Sequence, residues 1–127
     1  MTQAVLVVED SPTMRQLITF ALLRVGELEV DEAADGLAAL RKLATRAYDL
    51  VITDINMPNL DGLKLIARLR GDDATRDVPV VVVTVAGEAG DRARAMELGA
   101  TAYLEKPIQA AEVIEVARRL LGLTAPE

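Results

Sequence analysis

Cysteine and histidine are both missing from this 127-residue chain. Without cysteine there is no disulfide framework, no thiolate nucleophile and no zinc site built on sulfur. Without histidine the usual general base near neutral pH is gone, along with the commonest metal-binding imidazole. Aromatic residues are scarce: two tyrosines, one phenylalanine and no tryptophan. With 51% hydrophobic residues and a mean hydropathy of +0.24, the core must therefore be aliphatic, built from Val, Leu, Ile and Ala. An excess of positive charge is lacking as well. Twenty acidic residues against fourteen basic ones give a net charge of -6, which disfavours direct binding to nucleic acid. No apolar run approaches the roughly 20 residues that a membrane-spanning helix needs. The opening MTQAVLVVED has neither the basic start nor the cleavage site of a signal peptide. These features lead us to expect a cytoplasmic protein without membrane insertion, forming one domain over residues 1–127 with no linker.

What is present is a regular alternation of short β-branched runs with longer helical ones. AVLVVE (Ala4–Glu9) reads as a strand apolar on both faces, and Ser11-Pro12 then suits a helix start. Met14, Leu17, Ile18, Ala21, Leu22 and Val25 recur at helical spacing, with Gly26 as the expected stop. EVDEAA (Glu29–Ala34) alternates like an edge strand, and Asp35-Gly36 opens a helix carrying Leu37, Leu40 and Leu43. Leu50–Asp54 is the third strand, and Asp61 caps a helix with Leu63, Ile66 and Leu69. PVVVVT (Pro79–Thr84), a short helix through Ala93 and Met96 ending at Gly99, AYLEK (Ala102–Lys106) and a helix from Ala110 to Leu121 complete the series. Strand then helix, five times over, predicts an α/β fold with a parallel sheet, helices on both faces and a doubly wound order. The tail TAPE reads as a frayed end.

Parallel sheets of this kind bind ligands at the carboxyl ends of their strands, where the strand order reverses. Glu9 and Asp10 follow the first strand, Asp54 ends the third, Thr84 the fourth and Lys106-Pro107 the fifth. Taken singly, each has an ordinary explanation: a helix cap, a turn cap, a β-branched strand residue, a solvated lysine. Four strands carrying such residues at one edge is harder to ascribe to chance. If the first and third strands are neighbours, three carboxylates converge and repel one another unless a cation sits among them. Oxygen ligands without His or Cys suit a hard cation, Mg²⁺ first. A carboxylate beside Mg²⁺ and an ammonium group has the makings of a phosphoryl acceptor, with Lys106 and the Thr84 hydroxyl able to hold phosphoryl oxygens. Lys106 is one of three lysines against eleven arginines, and a compact point charge suits that place.

The segments VVEDSPTMRQLI, DLVITDINMPNLDGL, PVVVVTV and GATAYLEKPI, in that order and spacing, resemble the receiver domain of two-component response regulators, specifically the stand-alone chemotaxis (CheY-like) type. The resemblance runs from Val5 to Leu121. It implies a flavodoxin-like three-layer (βα)5 sandwich with strand order 2-1-3-4-5. Asp54 would accept a phosphoryl group from the phosphohistidine of a partner sensor histidine kinase. Glu9, Asp10, Asp54 and the Asn56 backbone carbonyl would hold Mg²⁺, with Mn²⁺ as a substitute. Thr84 and Lys106 would bind phosphoryl oxygens, and Lys106-Pro107 would be a cis peptide. Thr84 and Tyr103 would form a switch that repacks the face of the fourth helix, fifth strand and fifth helix, where a downstream protein target binds. On this reading the chain catalyses its own phosphorylation and dephosphorylation and is not otherwise an enzyme. A monomer is expected, with a phosphorylation-linked dimer as the alternative.

Three residues depart from the family pattern. Glu9 stands where aspartate is commoner, and its extra methylene favours a water-mediated metal contact. Val85 follows Thr84 where alanine or glycine is usual, and its bulk would narrow the phosphate approach. Ala86 offers no polar group, which leaves Asn56 to influence the hydrolytic water. Competing functions are an aspartyl phosphatase, which DIN at Asp54 faintly suggests but Asn56 disfavours, and a flavin or dinucleotide binder. The latter would need glycines in EDSPTM, which has none. A phosphorylation-independent pseudo-receiver is the third alternative.

Overall fold

The computed structural model describes residues 2–57, 59–85 and 87–123. Within them five strands alternate with five helices: β1 Gln3–Val8, α1 Pro12–Leu23, β2 Leu28–Ala33, α2 Gly36–Thr45, β3 Leu50–Asp54, α3 Gly62–Arg70, β4 Val80–Val85, α4 Ala89–Leu98, β5 Ala102–Lys106 and α5 Ala110–Leu120. Every pairing is parallel, in the order β2-β1-β3-β4-β5. This is the flavodoxin-like arrangement. No helix among the described residues is long and apolar enough to cross a membrane.

Strand alternation divides the aliphatic residues into two cores. Val5, Val7, Leu50, Ile52, Val81, Val83 and Leu104 face α1 and α5, meeting Ile18, Leu22, Val113 and Val116. Leu6, Val8, Val51, Val80 and Val82 face the other way, against Leu65, Ile66 and Leu69 of α3 and Ala95 of α4. Strands β1, β3 and β4 are buried on both faces, which is why they read as unbroken apolar runs.

The helix starts follow the expected chemistry. Ser11, Asp35 and Asp61 each accept a hydrogen bond from the backbone three residues on, at Met14, Ala38 and Lys64. Gly26 is not the stop of α1. That helix ends at Leu23 with Arg24 as its cap, and Val25 turns into the core instead. Strand β2 runs one residue earlier than its alternation suggested, at Leu28–Ala33. As an edge strand with a mostly half-buried pattern, its period fixes the faces better than the ends. Ala86 and the tail from Thr124 lie outside the described residues.

Two polar clusters fasten the rim where strands β3, β4 and β5 begin. Arg70, the last residue of α3, donates from Nε and Nη2 to the Gly99 carbonyl at 3.0 and 2.8 Å. Its Nη1 reaches the carbonyls of Val78 at 2.6 Å and Arg76 at 2.9 Å. One guanidinium thus joins α3, the loop before β4 and the end of α4. At the other edge, Asp31 Oδ2 accepts from the Tyr48 hydroxyl at 2.6 Å and from Arg46 Nη1 at 3.1 Å.

The Tyr48–Asp31 bond has a pH signature. Tyr48's hydrogen bond is the leading cause holding the Asp31 carboxyl below its ordinary 3.8. Burial first, then Asp31, pushes the Tyr48 phenol up to about 12 from 10.0. A depressed carboxyl adds stability above its ordinary value, lost as pH falls below 3.8 through the lower folded value. A raised phenol adds stability that is complete below 10.0 and lost as pH climbs through about 12. Tyr48→Phe is therefore expected to cost about 1 kcal/mol at neutral pH and to flatten both limbs. Urea midpoints across pH test this; a curve parallel to wild type throughout would count against it.

Candidate functional site

The register brings the carboxyl ends of β1, β3, β4 and β5 abreast. Val8 pairs with Thr53, Asp54 with Val83, Thr84 with Glu105 and Val85 with Lys106. Glu9 continues the face of Val5 and Val7, and Asp54 that of Leu50 and Ile52, so both acids lie on the α1/α5 side of adjoining strands. One carboxylate oxygen from each of Glu9, Asp10 and Asp54 lies within 4.8 Å of the others. Glu9 is 1% and Asp54 3% exposed, whereas Asp10 faces solvent. Lys106 extends from β5 to place Nζ 3.2 Å from Asp54 Oδ2 and 3.8 Å from Glu9 Oε1.

One ammonium among three acids leaves an excess of negative charge. Burial, then the close approach and charge of the Asp54 carboxylate, raises the Glu9 carboxyl well above the usual carboxylate range; Lys106 offsets only part of this. Among the described residues, Glu9 Oε1 and Asp54 Oδ1 are buried without a hydrogen-bond partner, a costly state for such groups. Converging hard oxygens with two orphaned atoms fit a divalent cation such as Mg²⁺. Mg²⁺ is expected to raise the melting temperature. A hundredfold excess over Kd is worth about 2.7 kcal/mol, and Asp10→Asn should reduce the shift markedly in differential scanning fluorimetry.

Several residues position these acids without having been singled out by sequence. Arg15 Nη1 donates to the Glu9 carbonyl at 2.8 Å while its Nε binds Glu32 on β2 at 2.8 Å. The Glu9 Oε2 atom accepts from the Asp10 backbone N–H at 2.9 Å. The Thr53 hydroxyl donates to the Asp54 carbonyl at 2.9 Å. Gly62 lies so close to that carbonyl that a Cβ added to it would stand 2.3 Å from the oxygen. Its N–H also donates to Ile55 at 2.8 Å. The glycine in LDGL was visible only as part of a break, because nothing local reveals what its missing side chain would strike.

Thr84 is 2% exposed near the end of β4, on the face turned towards α4. Tyr103 shares that face and is 42% exposed, its ring 4.8 Å from the guanidinium carbon of Arg92. Asn56 is exposed in the segment just after β3. The Lys106–Pro107 bond is cis. Val85 is 44% exposed, with its side chain partly in solvent at the strand end. Ala86 falls outside the described residues.

A sheet of this order, with an acidic pocket and a lysine at its carboxyl edge, defines a signalling receiver fold. The chain belongs to the response regulator receiver domain family, whose model matches residues 5–118. It is 38% identical over 105 residues to the sensor protein EvgS of Escherichia coli K12, covering 83% of this chain and 8% of that protein. To the phosphate regulon transcriptional regulatory protein PhoB of the same strain it is 34% identical, covering 99% of this chain and 55% of PhoB. It thus spans only part of either relative. The receiver domain of sensor histidine kinase PA1611 from Pseudomonas aeruginosa PAO1 superposes with a TM-score of 0.86 at 32% identity, covering 96% of this chain and 99% of that one. That structure has a magnesium ion coordinated in its active-site cleft.

Proposed function

We propose that this receiver, one domain over residues 1–127, is a phosphorylation-dependent switch in the cytoplasm, of the stand-alone chemotaxis type, whose acceptor is Asp54. The observation carrying this is the Asp54 carboxylate itself: buried, with Oδ2 paired to Lys106 at 3.2 Å and Oδ1 without a hydrogen-bond partner among the described residues. Its oxygen attacks the phosphorus of a phosphohistidine on a sensor histidine kinase. The P–N bond breaks, and the bonding pair returns to the donor's imidazole. Glu9, Asp10, Asp54 and the Asn56 carbonyl would hold Mg²⁺ (or Mn²⁺), which when bound offsets charge on the transferred group. Lys106 binds one phosphoryl oxygen and Thr84 another.

Movement of Thr84 towards the new charge draws Tyr103 inward. Support for that coupling comes from the register, which sets Tyr103 beside Val82 and Glu105 beside Thr84 on the face turned to α4. Output then passes from the face of α4, β5 and α5 to a protein target, and the switch resets by its own dephosphorylation.

Incubation with acetyl phosphate and Mg²⁺, followed by mass measurement, tests this reading. The expected result is a single alkali-labile phosphoryl adduct. Sustained turnover of substrate would favour a phosphatase, and no adduct would favour an interaction module that works without phosphorylation.

A further inference from the structure

Arg92 lies in the opening turns of α4 and meets two β5 residues at once. Its guanidinium carbon is 4.8 Å from the Tyr103 ring centroid, and its Nη1 is 2.7 Å from Glu105 Oε1. Tyr103 and Glu105 are two apart on a strand, so both side chains rise on the face that α4 covers. The carboxylate fixes the plane of the guanidinium and the ring packs against it. Arginine alone can do both, since its planar fork pairs with a carboxylate while its flat face takes an aromatic ring.

The surroundings make this contact consequential. At its far end α4 is held through Gly99 by Arg70. At its near end Glu88 provides no side-chain cap, and Gly87 and Gly90 flank the first turn. Arg92 ties this lightly held end of α4 to β5 through Tyr103 and Glu105 together.

We propose that Arg92 is a positioning residue that latches Tyr103 in its outward, half-exposed place and so sets how much of the protein rests in the inactive packing before any phosphoryl group arrives. The consequence for signalling rests on the receiver reading above; the latch itself belongs to the resting protein. An inward turn of the ring requires it to leave the guanidinium. A cation–π contact together with one exposed ion pair biases the equilibrium about fivefold. Coupling is reciprocal, so whatever favours the inward ring must also favour the modified site.

The test uses protein with ¹³C-labelled tyrosine and methyl groups. Tyr103 signals are told from those of Tyr48 with Tyr48→Phe, and ring-to-methyl NOEs from Tyr103 to Val82 and Thr84 report the inward position. In untreated Arg92→Met these NOEs should rise about fivefold, with a melting temperature lower by about 3–5 °C because the same contacts leave the resting packing. Glu105→Gln should act in the same direction but more weakly, and Arg92→Lys should restore part of the wild-type behaviour. The modified fraction reached at a fixed, limiting acetyl phosphate concentration should rise in Arg92→Met. Unchanged NOEs in untreated Arg92→Met would overturn the latch, as would a rise that Arg92→Lys reverses in full, because that would leave no role for stacking. If wild type forms no adduct, the receiver reading fails, while the NOEs of the untreated proteins still decide the latch.

Discussion

Asp54→Asn is expected to carry no phosphoryl adduct at all after acetyl phosphate and Mg²⁺, under conditions where wild type is fully modified. The neutral amide has nearly the carboxylate's shape, so the packing at the end of β3 should survive. What it lacks is the anionic oxygen that attacks phosphorus. The substitution also takes one acid from the cluster within 4.8 Å, so most of the Mg²⁺-induced rise in melting temperature should vanish with it. Lys106 is not stranded, because Glu9 Oε1 still lies 3.8 Å from Nζ. Intact-mass spectra and melting curves measured together separate loss of the acceptor from loss of the fold. A full adduct on Asp54→Asn would move the acceptor elsewhere and remove the basis of the proposed function.

Gly62→Ala should be among the most damaging changes that touch no charged group. The added methyl would stand 2.3 Å from the Asp54 carbonyl oxygen and 2.8 Å from Ile55 Cα. Both are backbone atoms, and no rotamer change relieves the clash. Either α3 retreats from β3, breaking the Gly62 N–H bond to Ile55, or the end of β3 shifts and takes the acceptor with it. Forced overpacking of this kind costs about 2–3 kcal/mol, roughly 10 °C in a domain of this size. A displacement of about 1 Å at a reacting group can slow the chemistry on the order of a hundredfold. Gly90→Ala is the control. Its Cβ would meet nothing within 4 Å among the described residues, and replacing a helical glycine should add up to about 1 kcal/mol of stability. Equal melting temperatures and adduct rates for Gly62→Ala and wild type would show that the contact is not as tight as the geometry requires.

The layered fold was legible because the chain obeys its periods almost everywhere. Runs such as PVVVVT are buried on both faces, and Ser11, Asp35 and Asp61 cap where their spacing suggests. The convergence of Glu9, Asp10, Asp54 and Lys106 could be argued as soon as strand order was inferred, since strand ends fall on one rim. Contacts that depend on how two elements approach were not legible. The Arg92 ring contact joins residues on a helix and a strand whose separation along the chain says nothing about stacking. The Gly62 contact is a distance between two backbones. The end of α1 was misplaced at Gly26 because a glycine marks a turn without saying which residue begins it, and burial of Val25 decided the matter.

The Arg70 guanidinium also has a mechanical meaning. By gripping Gly99, Val78 and Arg76 together, it makes the floor of the molecule stiff, so that α4 behaves like a lever hinged at its tail. On the proposed switching role, travel of this helix would fall at its tip around Glu88, which lacks a side-chain cap, and little would fall at the hinge.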